Sequence, residues 1–306
     1  MARISFRIVF GDSAAIGPGK VGRLEHIGEL GSISAAGRAE RGRMKRLPFL
    51  AFVAGITLAI AAAGPAVATD EGKITVFAAA SLREAFEAAA PAFTKATGVA
   101  LTFSFGGSDT LVTQLKQGAP ADVFASANEA QMKIAADAGL LAAPARTFAH
   151  NRLVVIVPKD NPAKVAALAD LAKPGVKVVL AAPTVPVGNY SRTAFRKLNG
   201  ANGYPADFGG LVERNVVSDE LDVKAVATKI SLGEGDAGVV YATDVTPAIA
   251  GRVTTIAFPP GASPDAVYPI AALKSAPNPA GARAFVDFVI SPAGQEFLKA
   301  RGFASQ

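Results

Sequence analysis

Four segments of this chain end an apolar run just where a helix-like pattern begins. They are AAAS at Ser81, FGGS at Ser108, VPVG at Val187 and Gly188, and LDV at Val223. None of the four carries a Lys or Arg. A helix N-terminus presents backbone N–H groups without intrahelical partners and roughly half a positive charge. Four such ends facing one cleft would hold an anion with no cationic side chain. Ser108 follows Gly106 and Gly107, which permit close backbone approach to a ligand. Taken singly, each residue has a plainer reading: Ser81 as a helix N-cap, Val187 and Val223 as ordinary apolar residues, Tyr241 as a core tyrosine at the end of a buried strand.

The elements that must position these residues alternate in type from Lys73 onward. KITVFAAAS reads as a buried strand running into a loop. The next stretch is amphipathic, with Leu82, Phe86, Ala89 and Phe93 on one face, Ser81 as N-cap, Glu84 three residues later and Gly98 as the stop. Pro91 inside it predicts a kink or break. VALTFSF, ADVFASA, RLVVIVP, VKVVLAAP, AGVVYA and YPIAALK read as further strands. Helices are expected in SDTLVTQLKQG, capped by Ser108 and ended by Gly118, in NEAQMKIAADAGLL, near 190–198 and 223–232, and in PAGARAFVDFVI with the segment after it. Strands alternating with helices imply parallel sheets covered on both faces, with ligands where strand C-termini meet helix N-termini.

Composition narrows the class. The chain has 306 residues, half of them hydrophobic and 18% charged, which excludes a disordered or collagen-like polymer. It has no Cys, so disulfides, zinc–cysteine sites, iron–sulfur clusters and a cysteine nucleophile are excluded. Two His make a multi-histidine metal site unexpected. Residues 47–69 are uncharged, follow Met44-Lys45-Arg46, and end in Ala66-Val67-Ala68, the pattern of a secretory signal peptide over 44–68 with cleavage after Ala68. Its apolar core is short of the roughly 20 residues that span a bilayer. Residues 1–43 would leave that signal internal, and are read as an upstream extension ahead of the true start at Met44. No Cys stands near the cleavage site to carry a lipid, so a free periplasmic product is expected.

DEGKITVFAAASL, FGGSDTL, GAPADVFASA, VPVGNY and AGVVYATD together resemble the periplasmic molybdate-binding proteins of ABC importers, a resemblance running from Asp70 to the C-terminus. It implies a type II periplasmic-binding fold: α/β, two-lobed, each lobe a mixed, mostly parallel sheet flanked by helices, with the ligand cleft between the lobes. Lobe I would comprise 70–151 and 268–306, and lobe II 152–267. Carried over by motif, Ser81 and Ser108 would each give a hydroxyl and a backbone N–H, Val187 and Val223 backbone N–H groups, and Tyr241 its phenol. The family's HVPAG pattern is altered here. The loop before Val185 is one residue shorter and Val187 stands where alanine is usual, a change that keeps the backbone donor. The implied partners are a membrane permease with its cytoplasmic ATPase and the small oxyanion itself, bound by a monomer with no nucleic acid. No cofactor is implied, and molybdenum would be present only within the anion.

The chemistry of the residues agrees. Molybdate and tungstate are fully deprotonated tetrahedral dianions, so every oxygen accepts hydrogen bonds and a site built only of donors suits them. Hydrogen phosphate would need an acceptor for its proton, and an unpaired buried group costs about 1–3 kcal/mol. Sulfate would have to be rejected by size. A binder of sulfate or thiosulfate, or an oxyanion sensor of the same fold, is the alternative reading. An enzyme is not expected: beyond the signal peptide only His150 could act as a histidine base, and neither serine lies in a G-x-S-x-G elbow. Gly233-Glu234-Gly235-Asp236-Ala237-Gly238 fits G-x-G-x-x-G but precedes a strand, so it reads as a helix stop and turn. Asn189-Tyr190-Ser191 is a glycosylation sequon by pattern alone. Asp109, Asp122 and Asp244 would repel a dianion, and are expected to turn away from the cleft. The net charge of +6 at first suggests an acidic macromolecular partner. Residues 1–68 hold nine Lys and Arg against four Asp and Glu, so the remainder nets only +1. The basicity belongs to the leader.

Overall fold

A computed structural model describes residues 72–305. The signal peptide expected over 44–68 and the extension expected over 1–43 lie outside the described residues. In chain order the first half comprises β1 (Lys73–Ala79), α1 (Arg83–Thr97), β2 (Ala100–Gly106), α2 (Ser108–Lys116), β3 (Val123–Ala125), α3 (Glu129–Asp137) and β4 (Arg146–Asn151). Then come β5 (Leu153–Pro158), β6 (Val178–Ala181), α4 (Pro186–Lys197), α5 (Phe208–Arg214), β7 (Val216–Glu220), α6 (Val223–Ser231) and β8 (Ala237–Tyr241). The chain closes with α7 (Pro247–Ala250), β9 (Val253–Ala257), β10 (Ala266–Ala272), α8 (Pro279–Ile290) and α9 (Pro292–Lys299).

The strands form two five-stranded sheets, ordered β2-β1-β3-β10-β4 and β7-β6-β8-β5-β9. Each is mixed in the same way. In the first, β1 pairs in parallel with β2 and β3, while β10 runs antiparallel to β3 and β4. In the second, β6 pairs in parallel with β7 and β8, while β5 runs antiparallel to β8 and β9. The strand–helix alternation accounts for the parallel halves. The antiparallel halves arise where the chain crosses between sheets, from β4 into β5 through Arg152 and back from β9 to β10 across residues 258–265. We call the bodies built on the first and second sheets lobe I and lobe II.

Burial follows the sequence pattern. The α1 face of Phe86, Ala89 and Phe93 is buried. Phe86 and Phe93 meet Phe285 of α8 edge-on, at 5.5 and 5.3 Å between ring centroids. In lobe II, β5 is buried at every residue.

Two local expectations at α1 are corrected. Ser81 does not cap the helix: it lies in a 3-10 turn, Ala80–Leu82, and α1 starts at Arg83 with no side-chain cap. Its hydroxyl is engaged by Tyr268 instead. Pro91 does not break the helix, which runs uninterrupted over Arg83–Thr97. Pro91 and Glu87, whose carbonyl loses its partner there, are both exposed, so water can satisfy that carbonyl. Ser108 likewise opens α2 as its first residue, with Gly107 at the N-cap. Strands β4, β7 and β9 were absent from the sequence reading. All three are sheet edges, and β7 and β9 bury little of their surface, so neither has the continuous apolar run that marks a buried strand.

Candidate functional site

Helix starts from both lobes surround one pocket. It is lined by Ala79–Ser81 at the end of β1, Gly106–Ser108 at the start of α2, Val185–Val187 at the start of α4, Asp222 and Val223 at the start of α6, together with Ala127 and Tyr241. The five residues singled out in the sequence, Ser81, Ser108, Val187, Val223 and Tyr241, are thus brought together. The pocket is narrow: its empty volume, open solvent at the mouth included, is about 210 Å3. None of the described residues lining it is Lys, Arg or His.

Each wall is held by local chemistry. Gly188, in the first turn of α4, packs against the carbonyls of Ala181 and Ala182, where a Cβ would clash with backbone. Arg192, one turn on, donates to the Ala181 carbonyl at 2.7 Å and to Asp219 at 2.7 Å, tying α4 to the end of β6. Asp222 is the single carboxylate on the wall. Its Oδ1 accepts the Ala225 N–H at 3.0 Å, so it caps α6, leaving the earlier N–H groups free. Gly107 packs against the Leu221 carbonyl of the opposite lobe, again with no room for a Cβ.

The hydroxyls are the chemical core. Ser108 Oγ accepts the Ala127 N–H at 3.1 Å. Ser81 Oγ lies 3.0 Å from the Tyr268 hydroxyl. Tyr241 is 1% exposed and its hydroxyl has no hydrogen-bond partner. Burial pushes this phenol well above its ordinary pKa, and the neighbouring Tyr268 adds to the effect. It is therefore a protonated donor: the Tyr268 hydroxyl is near enough to raise it further, but no hydrogen bond of good geometry takes its proton, and buried polar groups in native proteins are rarely left so.

Three carboxylates suspected near the cleft do not line the pocket. Asp122 accepts the N–H groups of Thr75 and Asn278, both at 2.7 Å. Asp109 Oδ2 accepts the Thr184 hydroxyl at 2.7 Å. Asp244 accepts the Tyr241 N–H at 3.1 Å and sits 3.2 Å from Lys224 Nζ. Burial raises its pKa to about 6 against the opposing pull of Lys224. His150 pairs with Asp265 at 2.6 Å, away from the pocket wall. The G-x-G-x-x-G string forms the turn between α6 and β8, with Gly233 at φ +77°. No group of three or more His, Cys, Asp or Glu suited to a metal occurs among the described residues. No described helix is long and apolar enough to cross a membrane.

Comparison with known proteins bears on the family and the fold. The family model for bacterial extracellular solute-binding proteins matches residues 74–304. The molybdate-binding protein ModA of Mycobacterium tuberculosis is 43% identical over 79% of this chain and 89% of its own length. The chain belongs to the molybdate-binding family of bacterial extracellular solute-binding proteins. ModA of Escherichia coli is 34% identical over 83% of this chain and 97% of its own. The periplasmic molybdate-binding protein of Azotobacter vinelandii shares the fold, with a TM-score of 0.64 at 23% identity, over 76% of this chain and 99% of that one. A solute-binding family of this kind is a transport component, not an enzyme, and the fold is the two-lobed type II periplasmic one.

Sequence reasoning missed the residues behind the wall. Tyr268 and Asn151, on the crossing strands, and Thr184 and Lys224, on the cleft rims, each bond a residue that lines the cleft or belongs to the opposite lobe. Tyr268 had a weak signal, being a hydroxyl-bearing residue in an otherwise apolar strand. Lys224 had none, because its partner Glu84 is 140 residues away.

Proposed function

We propose that this chain is the substrate-binding component of a molybdate ABC importer. It captures molybdate, and tungstate with it, between its lobes and presents the closed form to a membrane permease. The observation that carries the reading is the buried, unpartnered Tyr241 hydroxyl in a pocket walled by helix starts and two serines. Such a set offers donors from several directions to a tetrahedral acceptor. Ser81, Ser108 and Tyr241 act through their hydroxyls, and Val187 and Val223 through backbone N–H groups at the starts of α4 and α6. Charge-assisted hydrogen bonds of this kind are roughly twice as strong as neutral ones. Two fixed lobes of donors also set the cavity size, which is what separates molybdate from the smaller sulfate. In this reading 70–151 and 268–306 form lobe I, 152–267 form lobe II, and the chain works as a monomer in the periplasm after its signal peptide is removed.

Thermal shift of the mature chain with molybdate, tungstate, sulfate and phosphate tests the assignment. Molybdate and tungstate are expected to raise Tm by several degrees at saturating concentration, and phosphate not at all. Stabilisation by sulfate alone would reassign the substrate.

A further inference from the structure

Behind Ser81 lies a chain of side-chain hydrogen bonds that does not reach the pocket. Asn151 Oδ1 accepts the Arg152 N–H at 2.9 Å, which sets which end of the amide faces the other way. Asn151 Nδ2 then donates to Thr243 Oγ1 at 2.9 Å and to the Tyr268 hydroxyl at 3.4 Å. An amide nitrogen can only donate, so Tyr268 accepts there and keeps its own proton to give. The acceptor in good hydrogen-bond geometry is Ser81 Oγ at 3.0 Å, whereas the Tyr241 hydroxyl, also near Tyr268, forms no bond of good geometry. Asn151, Thr243, Tyr268 and Ser81 are all buried, so a proton left without an acceptor would be costly. Burial holds the Tyr268 phenol well above its ordinary pKa, so its proton stays in place. A Ser81 oxygen that accepts from Tyr268 keeps its own proton, which is free to face the pocket.

We propose that Tyr268, oriented by Asn151, is a positioning residue that makes Ser81 face the ligand as a donor, and thereby selects fully deprotonated tetrahedral anions over protonated ones of the same charge. The inference rests on the oxyanion reading above and gives that site its means of discrimination. Ser108 is served in the same sense by the backbone N–H of Ala127, which a side-chain substitution cannot remove. The relay at Ser81 runs through side chains on the two crossing segments and is open to mutation. The Tyr268 ring is held edge-on by Phe148, Tyr241 and Phe303, packing that a phenylalanine keeps.

The test compares selenate with arsenate in mildly alkaline buffer. Both are tetrahedral dianions of similar size there, and arsenate carries one proton. Affinities come from competition against bound molybdate, for wild type and for Tyr268→Phe. The substitution is expected to weaken molybdate and selenate about tenfold while leaving arsenate unchanged or tighter, because Ser81 Oγ regains a free lone pair. The selenate-to-arsenate preference then falls at least fivefold. Adding Tyr268→Phe to Ser81→Ala is expected to cost no further affinity. Equal losses for both anions, no change in either, or additive losses in the double variant would overturn the relay. If Tyr268→Phe fails to fold, the same ratio in Asn151→Ala decides: a fall supports the relay and an unmoved ratio refutes it. Wild type that binds neither molybdate nor selenate refutes the oxyanion reading itself. Wild type that binds both, with the preference unmoved by substitution, refutes the relay alone.

Discussion

At the scale of residues, the site is a set of buried hydroxyls, two of which already bond groups behind the wall. Tyr241 shows the consequence most directly, because its hydroxyl is buried with no partner. Removing a buried unsatisfied group relieves a cost of about 1–3 kcal/mol. Tyr241→Phe should therefore leave the ligand-free protein as stable as wild type or more so, by thermal melting, while weakening molybdate at least tenfold by calorimetry. Ser81→Ala and Ser108→Ala should also weaken it at least tenfold each. Unchanged affinity in all three would remove these hydroxyls from the site. Asp244 makes a separate pH prediction. Its pKa is raised from 3.8 to about 6 by burial. A raised carboxylate contributes stability that is full below the unfolded pKa and is lost as pH rises through the folded one. Between about pH 4 and 6 the melting temperature of wild type should therefore fall relative to Asp244→Asn, and the gap should stay constant above that window. Parallel profiles across the window would show that Asp244 does not titrate there.

At the scale of elements, the site depends on where helices start. The α4 start is the most constrained: Pro186 supplies the first turn, Arg192 ties it to β6, and Gly188 lets its backbone lie against the carbonyls of Ala181 and Ala182. Gly188→Ala would push this turn away from the strand end, and with it the Val187 N–H. The expected result is a stability loss of about 1–3 kcal/mol, as for overpacking elsewhere, together with at least tenfold weaker molybdate binding. A variant with wild-type Tm and affinity would mean that the turn has slack the structure does not show. The same view explains why much of the site could be read in advance. AAAS, FGGS and VPVG stand at strand-to-helix junctions, and such junctions are local features of sequence. The role assigned to Ser81 within its junction was wrong in detail, since the hydroxyl bonds Tyr268 and not its own helix.

At the scale of the whole molecule, the lobes are joined across the cleft on both rims. On one, Lys224 of α6 donates to both carboxylate oxygens of Glu84 of α1 at 2.8 Å. On the other, the Thr184 hydroxyl donates to Asp109, and Gln131 Nε2 donates to the Thr184 carbonyl at 3.0 Å. These contacts exist only with the lobes together, so they favour the state that also makes every ligand contact. The Lys224–Glu84 pair is partly exposed, and such pairs are worth about 0.2–1 kcal/mol. Glu84→Gln should accordingly speed molybdate release by up to about fivefold with little change in association rate, measured by stopped flow. Slower association at an unchanged release rate would place the pair in ligand entry instead of closure.

The sequence by itself determined the alternation of elements, the small uncharged residues at the helix starts, and the near neutrality of residues 69–306, which net only +1. Those properties rest on local periodicity, turn chemistry and composition, which are legible residue by residue. The tertiary structure decided that the four helix starts converge, that Tyr241 lines the same pocket, and that Tyr268 and Asn151 stand behind Ser81. Those facts join residues more than a hundred positions apart, through two sheets whose order interleaves distant strands. The edge strands β4, β7 and β9 also had to await the fold, because a strand at a sheet edge takes its conformation from its neighbour's hydrogen bonds more than from an apolar pattern of its own.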